Sequence, residues 1–286
     1  SSDVCSSDLI FPQPINGGYK MRKKIGFIGC GNMGSAMVGG LIKSGFQKKE
    51  DIIVSARTQA SVDKIKNSFD VFGTIDNKYV AKNSDIVVFA VKPNMYKNVV
   101  EEVKEELTKD KLIITIAAGI SISNMEEWLG SDAKVIRTMP NTPALVGEAM
   151  SGVCPNKNVS EEELKFALDM FSSFGECVEL AEKDFHAFTG LCGSSPAYVF
   201  MFIEAMADGA VKMGIPRAKA YKMAAQSVLG SAKMVLDTGK HPGELKDMVC
   251  SPAGTTIEAV EVLESLGFRN AAMQAVIKCS EKSQNM

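Results

Sequence analysis

Only two histidines, His186 and His241, occur in 286 residues, and the seven cysteines (positions 5, 30, 154, 177, 192, 250 and 279) form no Cys-x-x-Cys pair. Two isolated imidazoles and dispersed thiols supply neither a zinc ligand set nor a disulfide frame, so no metal is expected and the thiols are expected reduced, as in a cytoplasmic protein. Long apolar runs are missing too. The longest candidate, 197–203, is soon interrupted by Glu204 and Asp208, well short of the roughly 20 residues that cross a bilayer. Nor is there an excess of one charge: Lys+Arg number 32 against Asp+Glu 34, for a net charge of −2. The basic residues are dispersed, which argues against a nucleic-acid partner. Residues 1–20 lack the apolar core of a signal peptide, and Met21 followed by Arg22-Lys23-Lys24 reads as a natural start. They are therefore expected to be a tag or vector-derived segment. No internal repeat or low-complexity tract is evident.

What is present is ample core-forming material, 45% hydrophobic against 23% charged residues, enough for one large core or two moderate ones. Over 21–181, β-branched runs alternate with helical patterns: Ile25-Gly26-Phe27-Ile28, Ile52-Ile53-Val54, the run from Ile86 to Val91, the run from Leu112 to Ile116, and Val135-Ile136. Continuous apolar strands belong to a parallel sheet covered on both faces, so this part is expected to be a Rossmann-like, doubly wound α/β domain. Over 182–286 the strand signals stop, and helices are punctuated at Gly214-Ile215-Pro216, His241-Pro242, Ser251-Pro252 and Gly267. An all-helical second domain is expected. Its segment 197–213 is apolar on nearly every side, and burial against a second subunit is the natural remedy, which predicts a dimer or a multiple of one.

Gly29-Cys30-Gly31-Asn32-Met33-Gly34 follows the first strand directly and opens a helix running to Lys43. This is the context a dinucleotide fingerprint requires: a tight turn at Gly29, room for a pyrophosphate at Gly31, close helix packing at Gly34, and free N–H groups at the helix start. The same helix start is expected to lower the Cys30 thiol pKa. Where an NAD enzyme would place a carboxylate after its second strand, this chain has Arg57. A guanidinium there either forks onto a ribose 2′-phosphate, favouring NADPH over NADH, or is a solvated surface charge. Lys92, after the fourth strand, either meets the cofactor or solubilises the strand end.

These segments, together with Ala90-Val91-Lys92-Pro93, Ala117-Ala118-Gly119, the stretch from Arg137 to Pro143, that from Thr189 to Tyr198 and that from Ser251 to Thr256, resemble the pyrroline-5-carboxylate reductase family along essentially the whole of 21–282. The resemblance implies an NADPH-dependent reduction of 1-pyrroline-5-carboxylate to L-proline, the last step of proline biosynthesis. It implies a helical dimerisation domain, subunits in a homodimer or a higher multiple such as a decamer, and an active site shared between partners. By position it places cofactor contacts on Ile28, Gly29, Cys30, Gly31, Asn32, Met33, Gly34, Arg57, Asn77, Val91, Lys92 and Ala118, and a substrate-side carboxylate on Glu182. Asn77 reads equally as a helix cap, and Glu182 as a helix N-terminal charge. Two departures stand out: Ser195 and Ala253 occupy positions where the family most often has glycine. Either would be strained by about 1 kcal/mol if its φ were positive.

Ser251-Pro252-Ala253-Gly254-Thr255-Thr256 is arranged as the start of a helix, with Thr255 and Glu258 spaced as a capping box. Such a start either cradles a substrate carboxylate on its N–H groups, aided by the Ser251 hydroxyl, or is a plain capped helix. The Thr256 hydroxyl is the candidate partner of the imine nitrogen, as the resemblance also suggests. A substrate arriving as iminium lowers the demand for a protein acid, so neither histidine is needed for one. Asn141 and Thr142, in a proline-flanked connection, read as a cleft wall or as structure only. Two other readings compete. A β-hydroxyacid dehydrogenase would need a lysine where alignment on Gly190-Leu191-Cys192-Gly193 puts Val199, and a non-catalytic NADPH sensor would have no use for the anion turn.

Overall fold

The computed structural model describes residues 23–285, so the expected appended segment at 1–20 lies outside the described residues. Eight strands make one sheet: β1 (Ile25–Ile28), β2 (Ile52–Ser55), β3 (Phe72–Thr74), β4 (Ile86–Phe89), β5 (Leu112–Thr115), β6 (Lys134–Met139), β7 (Ala149–Pro155) and β8 (Gly175–Glu179). Their order is β3-β2-β1-β4-β5-β6-β7-β8. All pairs are parallel except β6 with β7. The first six strands are thus doubly wound, and the order reverses between β1 and β4. That is the point at which such sheets open a crevice at the strands' carboxyl ends.

The central strands read as unbroken apolar runs because both their faces are covered. Ile25, Phe27, Val54, Val88 and Ile114 pack under α1 (Asn32–Lys43), α2 (Gln59–Phe69) and, further along the sheet, α6 (Glu161–Ser172). Ile28, Ile53, Val87, Phe89 and Ile113 pack under α3 (Asn77–Lys82), α4 (Tyr96–Val103) and α5 (Ile122–Leu129). Each such buried aliphatic side chain contributes about 1.5–3 kcal/mol. The expected strands are all found, with β4 and β5 ending at Phe89 and Thr115, short of the expected Val91 and Ile116. β3, β7 and β8 come in addition, and β6 is longer than Val135-Ile136.

Beyond Glu182 the described chain is helical: α7 (Phe185–Phe188), a π turn (Thr189–Gly193), α8 (Ser195–Lys212), α9 (Arg217–Thr238), α10 (Pro242–Val249), α11 (Thr255–Ser265) and α12 (Phe268–Gln284). α8 and α9 fold back on each other through Ala207, Ala220 and Ala224. The start of this half docks on α12. His186 Nδ1 meets Ser283 Oγ at 3.0 Å, and a Cβ at Gly190 would stand 2.5 Å from the Val276 carbonyl. α8 leaves most of its apolar surface uncovered, with Phe200 60% and Met201 69% exposed. Among the described residues no helix is long and apolar enough to cross a membrane.

Candidate functional site

The loop between β1 and α1 has the shape its glycines predict. Gly29 has φ +81, and a Cβ there would stand 2.6 Å from Val91 Cγ1, so a side chain would be both strained and obstructed. Gly31 faces open space, with nothing within 4 Å of its virtual Cβ. It caps α1 without any side-chain bond, and no acidic residue stands in the first turn. The N–H groups of that turn therefore face outward without a side-chain cap, the condition for holding a pyrophosphate. Asn32 is exposed, Met33 half-buried and Gly34 buried against the Gly29 carbonyl.

The Cys30 thiol departs from expectation. Burial pushes its pKa up, and the Ser35 hydroxyl bond offsets this only in part. Burial takes the thiolate out of water and so disfavours the charged form.

At the carboxyl end of β2, the buried Ser55 hydroxyl donates to Asn77 Oδ1 at 2.7 Å, and Asn77 Nδ2 donates to Glu102 at 3.0 Å. Asn77 does not cap its helix, because Asp76 accepts the Tyr79 N–H and is the N-cap of α3. Arg57 is exposed in the loop after β2. Val91 is half-buried and Lys92 exposed beyond β4; Ala118 is half-buried beyond β5. The carboxyl ends of β1, β2, β4 and β5 thus bring the expected cofactor residues around one sheet edge.

Glu182 lies where the two halves join. Its Oε1 accepts from Arg137 Nη1 at 2.9 Å and from the Ile122 N–H, at the start of α5, at 2.8 Å. Arg137 is 5% exposed, and its guanidinium stands over the Phe185 ring at 4.7 Å. A carboxylate at a helix N-terminus is favourable, although the helix served is α5. Asn141, at the carboxyl end of β6, donates to the Cys192 carbonyl at 3.0 Å and accepts from Met150 N–H at 2.9 Å. It ties the sheet to the π turn, so its amide is committed to structure. Sequence reasoning gave Arg137 no role of its own and missed Tyr96, because the partners of both are distant along the chain.

The turn at 251–256 is tight. Gly254 N–H donates to the Ser251 carbonyl at 3.0 Å, and a Cβ on Gly254 would stand 2.3 Å from Ser251 Oγ. Ala253 has φ 56, the strained alternative anticipated for it, whereas Ser195 is an ordinary helix residue. The expected capping box does not form: Gly254, not a threonine, is the N-cap of α11, and no side chain caps it. Thr255 is already helical, and glycine has no side chain to accept. As at α1, no side chain caps the first-turn N–H groups of α11, but here an acidic residue, Glu258, stands in the first turn. Ser251 and Thr255 are exposed and Thr256 half-buried.

Each histidine has a local partner: His241 Nδ1 accepts the Gly243 N–H at 3.0 Å, capping α10, while His186 is tied to α12. Among the described residues no cluster of His, Cys, Asp or Glu could hold a metal.

Comparison with known proteins adds a second kind of observation. Residues 182–286 match the family model described as pyrroline-5-carboxylate reductase dimerisation, and 24–119 that described as NADP oxidoreductase coenzyme F420-dependent. The chain is 53% identical over 266 residues to the pyrroline-5-carboxylate reductase of Escherichia coli, covering 93% of this chain and 99% of that protein. It is 48% identical to that of Methanosarcina acetivorans, covering 93% and 98%. Among solved structures, the Plasmodium falciparum pyrroline carboxylate reductase with NADP bound superposes with a TM-score of 0.84 at 36% identity, over 92% of this chain and 97% of that one. The Coxiella burnetii pyrroline-5-carboxylate reductase gives 0.86 at 35% identity, over 93% and 98%.

Proposed function

The chain belongs to the pyrroline-5-carboxylate reductase family, and from that premise we propose which of its residues carry the reduction of 1-pyrroline-5-carboxylate to L-proline. Bound NADPH, or NADH in its place, supplies the hydride. Ile28, Gly29, Cys30, Gly31, Asn32, Met33 and Gly34 wrap the pyrophosphate, and Arg57 takes the 2′-phosphate that distinguishes NADPH. Asn77, Val91, Lys92 and Ala118 line the rest of the cofactor groove.

The observation that carries this reading is the pair of helix N-termini, at α1 and α11, that no side chain caps. One suits a pyrophosphate and the other a small carboxylate. Ser251, Gly254, Thr255 and Thr256 hold the substrate carboxylate, and the Thr256 hydroxyl bonds the ring nitrogen, orienting the imine carbon toward the hydride. An iminium substrate already carries the proton that the amine product keeps, so no histidine or lysine acid is required. Glu182 is retained on the substrate side by its family position, with Oε1 anchored on Arg137 and Ile122.

The uncovered face of α8 supports a homodimer, or a higher multiple such as a decamer, in which one protomer's α11 turn faces its partner's sheet edge. The dispersed charge supports an enzyme without a nucleic-acid partner, and the scattered cysteines, which form no Cys-x-x-Cys pair, support a cytoplasmic one. Turnover of pyrroline-5-carboxylate with NADPH, followed by nicotinamide absorbance, tests the reading: no turnover with either nicotinamide cofactor rejects it. Thr256→Ala should lower kcat/KM about tenfold or more while leaving NADPH binding intact, as expected for loss of one orienting hydrogen bond.

A further inference from the structure

Tyr96 is fully buried at the first position of α4, and its hydroxyl reaches groups that the fold places 7 to 20 residues away. It donates to the Phe89 carbonyl at 2.5 Å and accepts from Thr115 Oγ1 at 3.1 Å and from the Ile116 N–H at 3.3 Å. One donor and two acceptor sites are all a phenol offers, so the oxygen is saturated.

Phe89 and Thr115 are the last residues of β4 and β5 and lie opposite each other in the parallel ladder. Leu112 N–H donates to the Asp85 carbonyl. Stepping two residues along both strands, as a parallel ladder does, would next pair the Ile116 N–H with the Phe89 carbonyl, but the Ile116 N–H donates to the phenol oxygen and the Phe89 carbonyl accepts from the phenol O–H. The phenol therefore stands in place of that rung and bridges the two strand ends. Immediately beyond it the chain continues on one side into Val91 and Lys92 and on the other into Ala118. The ends of adjacent strands are where two backbones diverge and where a ligand of this fold lies.

We propose that Tyr96 is a positioning residue for the nicotinamide cofactor, its hydroxyl fixing the separation of the two loops that carry Val91, Lys92 and Ala118. This rests on the cofactor site proposed above. Burial pushes the phenol pKa up to about 12, so the hydroxyl keeps its proton, and the Phe89 bond its donor, throughout the working pH range. The ring packs on Phe89 with centroids 6.0 Å apart. A phenylalanine would keep that packing and remove only the bridge.

The test compares NADPH binding, read by nicotinamide fluorescence, and the separate KM values for NADPH and pyrroline-5-carboxylate in the wild type, Tyr96→Phe and Thr115→Val. Tyr96→Phe is expected to weaken NADPH binding and raise its KM about tenfold, with the imine KM changed less than about twofold. Thr115→Val removes one donor to the phenol without touching either loop. Its expected rise in NADPH KM is smaller, about threefold, and it tests the proposal even if Tyr96→Phe does not fold. A lower melting temperature with NADPH KM unchanged in both variants overturns the positioning role and makes Tyr96 a core residue only. A wild type that binds no nicotinamide cofactor instead rejects the cofactor site itself, and with it this inference.

Discussion

Ala253 holds a left-handed conformation at φ 56, which costs a residue with a Cβ about 1–2 kcal/mol. Ala253→Gly should release most of this, less the extra chain entropy glycine brings to the unfolded state, for a net gain of about 1 kcal/mol by denaturant unfolding. Loss of stability instead would mean that the turn relaxes by another route. Arg57 is exposed, and in the role proposed for it, its value rests on the 2′-phosphate alone. Arg57→Ala should raise KM for NADPH about tenfold while leaving KM for NADH nearly unchanged, as steady-state kinetics with both cofactors would show. Equal effects on both would reject the assignment. At this scale the sequence discloses residues whose neighbours are close along the chain: the fingerprint glycines are legible because strand, turn and helix adjoin. Tyr96, Arg137 and Asn141 are not, because their partners lie 7 to 51 residues away and become visible only once the sheet is assembled.

Among the elements, the strands read from the sequence are those with both faces covered, where alternation gives way to continuous Ile and Val. The two sheet edges were illegible for the opposite reason. β3 contains a glycine and an exposed phenylalanine, and β8 reads Gly-Glu-Cys-Val-Glu, the short, polar composition by which edge strands avoid pairing with other chains. β7, antiparallel and carrying Gly152 and Pro155, looks like a loop until β6 is beside it. Caps show the same divide. Ser160 and Glu163 form a true capping box on α6, whereas the spacing of Thr255 and Glu258 suggested one that the backbone does not make.

Glu163 also meets Lys134 Nζ at 2.8 Å. Burial alone would raise its carboxyl pKa, but the bonds from Lys134 and Ser160 prevail and hold it below the ordinary value of 4.5. A depressed folded-state pKa stabilises fully above the unfolded value and is lost as pH falls through the folded one. Glu163→Gln should therefore cost about 1 kcal/mol at neutral pH, with the gap closing as unfolding is measured progressively below pH 4.5. A gap independent of pH would show that the charge contributes nothing.

For the whole molecule, the controlling feature is the uncovered apolar surface of α8. Phe200 and Met201 lie exposed on one helix, and contiguous exposure of this kind on a folded protein marks an interface. Phe200→Asp should give a monomer by light scattering that still binds NADPH through its intact sheet but turns over poorly. A fully active monomer would refute a site shared between protomers. The two-part architecture was legible from the change of periodicity near residue 182, while the way the halves are fastened, through Arg137, Glu182 and Asn141, was not.

The docking of α7 and the π turn on α12 bears on how the protein is made. A ribosome releases the sheet's eight strands before any of the long helices, so the nucleotide-binding half can mature while synthesis continues. The helical half cannot, because its first turns stay unsupported until α12 has emerged to receive them. For that interval the nascent chain carries a folded sheet alongside bare greasy helices, the kind of exposed surface that makes a half-made chain prone to clumping.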